Sequence, residues 1–492
     1  MKKWTIRIWS AVTAAFLLSG CDAILEVKPQ SSITDEVYFR DEGDFEPNVI
    51  GIYTVVRSLA NNITYGTERS EELISALNSR FTVAWSHTLS PTSGAVNYAE
   101  WYRGIGHCNL LLQKIQPFPF NSDPDLKKTI QAEAYAQRAW FYYHLLRVIG
   151  DAPIMLEAVV DENVPQLPRS PAADVMAQVL ADVEASLELY RSSSKFSKTA
   201  YPSRYRFSYG SVLALKADAL LWKAKVLGGG NAALQLAVET ISEIETTGVR
   251  LNADFADVAG KRAADNPEVL MAAYYHRDET PGGNYAKNAL PFEEGIKGAL
   301  NKDSLPWTAT SVNGQGAYQI SPASRALFTN ANDVRIRDTW VVELQSTGPK
   351  VAWINKLPGT RYLDDRVSDN DVVLWRLADI FLLKAEAYAA LNDGANAKLY
   401  LDKVRARTAT GVYSGAMDKQ SLEKEILNER GRELFFENKR WFDLVRFHKG
   451  GTLDIYQYVP NLAGKTTPLF WPLNSTVLAN NPNIKQTEGY QP

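Results

Sequence analysis

The sequence predicts a mainly α-helical fold, a tetratricopeptide-like scaffold interrupted by an irregular, loop-rich lobe with short β segments. Two observations predict it. Helical periodicity dominates the chain on both sides of a central stretch that lacks it. In addition, two helical pairs look like copies of one plan. "ADALLWKAKV" (217–226) and "ADIFLLKAEA" (378–387) share Ala-Asp, a leucine and Lys-Ala at the same offsets. Each then meets a Gly-containing turn and a second amphipathic helix, "NAALQLAVETISEIE" (231–245) or "GANAKLYLDKVRAR" (394–407). Ala134, Tyr135 and Ala139 give an earlier helix a similar small-residue face. Small residues at this spacing let helices approach closely, and pairs repeating about every 34 residues are the tetratricopeptide pattern.

The elements follow in order. Lys2, Lys3 and Arg7 precede an uncharged run from Ile8 to Leu18, the pattern of a secretory signal over residues 1–20. That run is short against the about 20 apolar residues needed to span a bilayer. It ends in Leu18-Ser19-Gly20-Cys21, which resembles a bacterial lipobox, where cleavage leaves the cysteine first and acylated. A tether is expected over 21–33, followed by a helix start with Ser32 or Thr34 ahead of Asp35 and Glu36. An N-terminal helical region then occupies 34–250. Within it, helices are predicted over 101–115, over 126–150 with a stop at Gly150 and Pro153, and over 171–190 with Ser170 as N-cap and Pro171 in the first turn. From 251 to 371 the chain is rich in Gly, Pro, Asn and aromatics, with β-like runs such as "EVLMAAYY" and "TWVVEL". So much irregular chain inside a helical scaffold indicates a functional lobe or a second subdomain. A C-terminal helical region and extension fill 372–492.

Charge and cysteine usage narrow the function classes. The formal charge is −3, and removal of the signal would take it to −6, so no basic surplus points to nucleic acid. With Cys21 acylated, Cys108 has no partner, no internal disulfide forms, and the fold depends on its core alone. Nothing beyond the signal is long and apolar enough to span a membrane, which leaves the lipid as anchor.

Catalytic patterns are sparse. The five histidines lack ligand spacing, and no H-E-x-x-H, G-x-S-x-G or paired C-x-x-C occurs. "NLAGKTT" is half a phosphate loop, with Val459 where its first glycine belongs. One stretch raises a sharper question. Leu422, Ile426, Glu429, Glu433 and Phe436 fall on a single helical stripe, which puts two carboxylates in an apolar seam. They read either as the acid and base of a glycosidase or as partners of nearby Arg430, Arg432, Lys439, Arg440 and Arg446. The supply of guanidinium favours ion pairing.

Aromatic residues are the stronger lead to a ligand. Trp101, Trp140, Trp222, Trp375 and Trp441 lie in helical stretches and read as core, whereas Trp85, Trp307 and Trp353 lie in loop-like sequence. A ring exposed in a loop can stack on a sugar face while polar neighbours bind its hydroxyls. Asn78, Arg80 and Asn97 surround Trp85 in sequence, and Tyr285 and Tyr318 flank Trp307.

Taken in order, "VYFRDEGDFEPNVIGIY", "EWYRGIGHCNLLL", "AEAYAQRAWFYYHLLRVIGDAPI", "PRSPAADVMAQVLADVEASL", "LWRLADIFLLKAEAYAALN", "ILNERGRELFFENKRWFDLVRF" and "FWPLNSTVLANNPNIKQTEGY" resemble the SusD/RagB family. These are surface nutrient-binding lipoproteins that pair with SusC-like TonB-dependent transporters. The resemblance implies a lipid-anchored protein at the surface of the outer membrane that binds an oligosaccharide or polysaccharide and delivers it without catalysis, with no cofactor. It also implies that the 422–447 segment belongs to the folded core, with Glu429, Glu433 and Asp443 pairing with Arg430, Arg440 and Arg446. Binding residues of the family lie outside its signatures. The choice of Trp85, Asn78, Arg80, Trp307, Tyr285 and Tyr318 therefore rests on aromatic and polar content alone. A lipid-anchored glycosidase and a tetratricopeptide-type adaptor for proteins are the alternatives.

Overall fold

The structure, a computed structural model, describes residues 39–77, 82–159, 164–199 and 203–491. The signal, Cys21, the tether, the helix start at Ser32 or Thr34, and Asn78 and Arg80 lie outside the described residues. The chain divides into two compact units, one ending at Glu46 and one beginning at Pro47. In the first, Asp41 accepts from Gly43 N at 2.8 Å and Asp44 Oδ2 accepts from Arg40 N at 2.7 Å, reciprocal bonds that cap the N-terminal end of the turn Glu42–Asp44.

The fold is mainly α and tetratricopeptide-like. Its long helices are α1 (Phe45–Ala60), α2 (Ala99–Ile115), α3 (Pro124–Ile149), α4 (Ala172–Arg191), α5 (Tyr209–Val226), α6 (Gly230–Ile244), α7 (Leu377–Ala390), α8 (Gly394–Arg405), α9 (Lys419–Glu433) and α10 (Arg440–Lys449). Successive helices pack as pairs, α3 on α4, α5 on α6 and α7 on α8, and α7 also packs against α6 and α9. Caps set their bounds. Asp123 accepts from Leu126 N ahead of Pro124, and Gly150 ends α3 at φ 76°, a conformation that a residue without Cβ adopts freely. Pro171 itself, rather than Ser170, occupies the N-cap of α4, because Ser170 is held in a backbone bridge to Ala152. Gly104 allows α2 to lie against α3, since a Cβ there would enter the Phe141 ring.

The Ala-Asp shared by the two repeat helices has a physical reason. Asp218 of α5 accepts from Tyr143 Oη at 2.8 Å and from Trp375 Nε1 at 3.2 Å, and Asp379 of α7 meets Arg430 at 2.8 Å and Lys439 at 2.9 Å. Each is a buried acid that ties its helix to neighbouring segments. Arg138 of α3 likewise forks onto Asp182 of α4 at 2.6 and 2.8 Å.

The stretch between α6 and α7 supplies the strands of short antiparallel pairs, one of them with a strand that precedes α2. Strand β1 (Leu73–Ser75) pairs with β3 (Tyr318–Ile320), and β2 (Val269–Ala273) with β8 (Val372–Arg376). Hairpins join β4 (Trp340–Gln345) to β5 (Gly348–Ile354) and β6 (Thr360–Arg361) to β7 (Arg366–Val367). The β-like runs at "EVLMAAYY" and "TWVVEL" are β2 and β4. Two tryptophans differ from their sequence reading: Trp353 is a fully buried residue of β5, and Trp375 is buried on β8 rather than in a helix.

At the other end of the chain order, Thr64–Glu68 forms a buried π-helical turn. Its Gly66 donates to Asn438 Oδ1 at 3.1 Å, and Asn438 and Phe436 both hold left-handed φ near 58°. Phe436 therefore lies beyond α9, which ends at Glu433, and it does not extend the helical stripe of Leu422 and Ile426. Next to this turn, the Arg69 guanidinium lies 4.2 Å from the Trp441 ring and 4.6 Å from the Trp471 ring, and donates to Leu469 O and Pro468 O at 2.8 and 2.7 Å.

Glu72 follows the same turn. It accepts from Phe436 N at 3.3 Å, while its Oε2 is buried with no donor among the described residues. Burial, reinforced by Glu71, pushes its carboxyl up to about 8. The folded state therefore keeps a proton that an ordinary glutamate, titrating at about 4.3, has lost. Stability should fall as pH rises between about 4.5 and about 8 through this group, and level off above that. Glu72→Gln should remove that part of the slope, so that its stability relative to the wild type rises from about pH 4.5 to about 8 and stays constant above that. Urea midpoints measured across the window check this; parallel curves for the two proteins would refute it.

Candidate ligand-binding surface

Glu429 and Glu433 are fully buried on α9. Arg335 Nη1 meets Glu429 at 2.6 Å and Glu433 at 3.0 Å, Arg432 adds a contact to Glu429 at 2.6 Å, and Glu433 Oε1 also meets Arg376 and Arg407, each at 2.7 Å. Burial pushes the Glu433 carboxyl up, but Arg407, Arg376 and Arg335 outweigh it and hold it well below the usual carboxylate range. Glu429 is held down in the same way by Arg335 and Arg432 against its burial. Two permanently ionised, solvent-excluded carboxylates cannot divide into a proton donor and a base.

The partners differ from the expected set. Asp443 meets Arg430 at 2.8 Å and Arg446 at 2.9 Å, but Arg440 pairs with Glu71 at 2.6 Å, Glu433 takes its arginines from other segments, and Glu429 takes Arg335 beside Arg432 of its own helix. Glu268, Asp333, Arg335 and Lys356 of the irregular lobe all enter the network, so these charges fasten the lobe to the helices.

Two of the predicted ligand-binding residues have no free ring face. Tyr285 is buried, with its hydroxyl donating to Phe436 O at 2.8 Å, and Tyr318 is buried, with its hydroxyl donating to Glu68 Oε1 at 3.0 Å. Both are corrected to structural residues, because a ligand would have to break these bonds to reach them. Asn97 is exposed, but its Oδ1 accepts from Ala99 N at 3.1 Å ahead of α2.

Trp85 and Trp307 are the half-buried rings. Trp85 Nε1 donates to Leu73 O of β1 at 3.0 Å. Trp307 packs its inner side against the cluster of Ile296, Leu305, Val351 and Trp353, which Leu77 also covers. Lys302 Nζ stands 4.2 Å from the centre of its indole and Arg361 Cζ 4.6 Å. The β6–β7 hairpin that presents Arg361 has the fully exposed Leu363 near its tip. The tip is held by Arg277, which forks onto Asp364 at 2.8 and 2.9 Å and lies 4.3 Å from the Tyr362 ring. This surface thus combines an accessible aromatic ring, cations and an apolar tip on a rigidly bonded lobe.

A concavity of about 840 Å³ lies between the first half of α2, residues 153–159 and 164–167, and the C-terminal turn Ser475–Asn480. Tyr98 and Tyr102 line it with ring centres 4.8 Å apart, together with His107, Gln166 and Asn481. Its volume falls within the about 300–1,000 Å³ of small-molecule sites. Sequence reasoning missed it because its walls come from three distant segments; the one local signal was a tyrosine pair at i, i+4. Among the described residues, no cluster of His, Cys, Asp and Glu could hold a metal ion, and no helix is long and apolar enough to cross a membrane.

Comparison with known proteins gives the frame for these surfaces. Residues 350–490 match the model of the SusD family, and residues 24–209 match the model described as "Starch-binding associating with outer membrane". The chain belongs to the SusD/RagB family. Among its SusD-like relatives is SusD-like protein P38 of Formosa agariphila, 26% identical over 511 residues and 96% of each chain. The starch-binding protein SusD of Bacteroides thetaiotaomicron is 28% identical over 131 residues, 25% of this chain and 22% of that protein. The solved structure of B. fragilis NanU superposes with a TM-score of 0.80 at 27% identity, covering 95% of this chain and all of that one. Both SusD-family matches fall largely on the helical scaffold, and Trp307 lies between the two matched ranges.

Proposed function

We propose that this SusD/RagB-family protein captures an oligosaccharide or polysaccharide at the surface of the outer membrane and passes it, uncleaved, to a SusC-like TonB-dependent transporter. A lipid on Cys21 is its anchor. The observation behind this reading is the match of residues 24–209 to a family model described as starch-binding and outer-membrane-associated. The burial and pairing of Glu429 and Glu433 support a role without hydrolysis. Trp307 of the irregular lobe and Trp85 of the N-terminal region, both half-buried, are the proposed contact residues. Asn78 and Arg80, close to Trp85 in sequence, are proposed beside them. Capture followed by release favours modest affinity, and one stacked ring supplies about 0.5–1.5 kcal/mol beyond the area it buries.

A glycan-panel binding screen with product analysis tests the reading. One polysaccharide class should bind without cleavage, and Trp307→Ala should weaken that binding by about tenfold with little change in stability. Cleavage of any bound glycan would overturn the reading. Unchanged binding in Trp307→Ala together with a loss in Tyr98→Ala would move the site to the concavity at the start of α2. Co-purification of a transporter with the full-length protein tests the delivery step.

A further inference from the structure

The β6–β7 hairpin places two arginines against each other. Arg361 and Arg366 are direct cross-strand partners, and like charges in that relation repel. Neither makes an ion pair among the described residues. The nearby acids are engaged elsewhere: Asp364 with Arg277, Glu293 with Lys302, and Asp365 with Ala309 N, Asn313 Nδ2 and Arg366 N. Arg366 is fixed by donating to Trp307 O at 3.3 Å, Pro358 O at 3.0 Å and Gly359 O at 3.2 Å, which leaves its Nη2 without a protein partner among the described residues. Arg361 is exposed, makes no protein hydrogen bond among the described residues, and rests over the Trp307 ring. The protein as a whole is net negative, so this local positive pair is not a by-product of a basic surface.

Two held guanidiniums with open donors beside an aromatic ring match an anionic group carried on a sugar, because the guanidinium fork fits the oxygens of a carboxylate or sulfate. We infer that the glycan taken at Trp307 is acidic, with its carboxylate or sulfate bound between Arg361 and Arg366. The inference rests on the glycan-capture reading and narrows its ligand class. A neutral glycan would leave the arginine repulsion uncompensated, whereas an anion relieves it on binding. Burial, and then the charge of Arg361, pull the Arg366 guanidinium down from its ordinary value, with Asp365 opposing them.

The test uses three probes on the wild type and Arg361→Gln: an oligogalacturonate for the carboxylate, a sulfated galactan oligosaccharide for the sulfate, and its desulfated counterpart. At least one acidic probe should bind, weaken with added salt, and lose about tenfold or more in affinity in Arg361→Gln. The neutral counterpart should bind at least about tenfold more weakly to the wild type. Because Arg361 is exposed, the variant should fold as the wild type does, and equal thermal midpoints verify this. Whichever acidic probe responds identifies the anion. Neutral binding as tight as acidic, an unchanged Arg361→Gln, or no acidic binding overturns the inference. Binding of only neutral glycans would leave the capture reading intact, and binding of no saccharide at all would defeat both.

Discussion

Glu433→Ala should destabilise the protein by about 3–5 kcal/mol, the range for removing one partner of a buried ion pair. The size follows from what the substitution leaves behind. Arg335, Arg376 and Arg407 all meet this carboxylate, at 3.0, 2.7 and 2.7 Å, and all three are buried or nearly so. Arg335 would retain Asp333 and Glu429, Arg376 would retain Glu268 and Glu437, and Arg407 would retain Glu268, so the network would loosen without dissolving. A urea-unfolding midpoint well below that of the wild type with an unchanged slope is the expected record. If the glycosidase reading were correct, the same variant would instead keep its stability and lose turnover. Glu433→Gln separates the two further, since it keeps the shape and removes the charge.

Gly66→Ala should cost about 3 kcal/mol, the upper end of the range for overpacking, although alanine suits helices better than glycine does. An added Cβ would fall onto the backbone carbonyl of Asn438, which is not the movable end of a side chain. Asn438 is itself held in the left-handed region, at φ 58°, and accepts from Gly66 N through its side chain. Relief of the clash would have to shift both the π-turn and the segment between α9 and α10. A loss below about 1 kcal/mol in denaturant unfolding would show that this junction yields more than its packing implies. Gly51→Ala, at a site where a Cβ meets nothing, is the control.

The helical pairs were legible because their signal is local. Shared Ala-Asp and Lys-Ala offsets mark each first helix, and the same Asp positions prove to be buried and paired. The buried role of Glu429 and Glu433 was legible too, from the excess of arginine around them. Their partners were not. The sequence supplied Arg430, Arg440 and Arg446 as neighbours, whereas the arginines that reach Glu433 lie 26, 57 and 98 residues away. A helix separates residues close in sequence onto different faces, and only the tertiary fold brings distant guanidiniums to one acid. Tyr285 and Tyr318 failed as ligand residues for a related reason. A tyrosine in loop-like sequence looks exposed until its hydroxyl finds a buried acceptor, and here both do. Trp307 stays half-buried, packed against the hydrophobic cluster beneath it, with Lys302 and Arg361 close to its ring.

The cation held between Trp441 and Trp471 has a consequence for the order in which the molecule is completed. Arg69 bonds to Leu469 O across 400 residues, Trp471 N donates to Val148 O at 2.9 Å, and Val96 bridges Leu473. The segment at 468–473 is thus the clasp for segments made hundreds of residues earlier. Until Trp471 has been made, the segments that precede it wait with an arginine and an indole face open. Long-range contacts of this kind slow folding. A truncation before Pro468 would remove the clasp while sparing every tetratricopeptide-like pair.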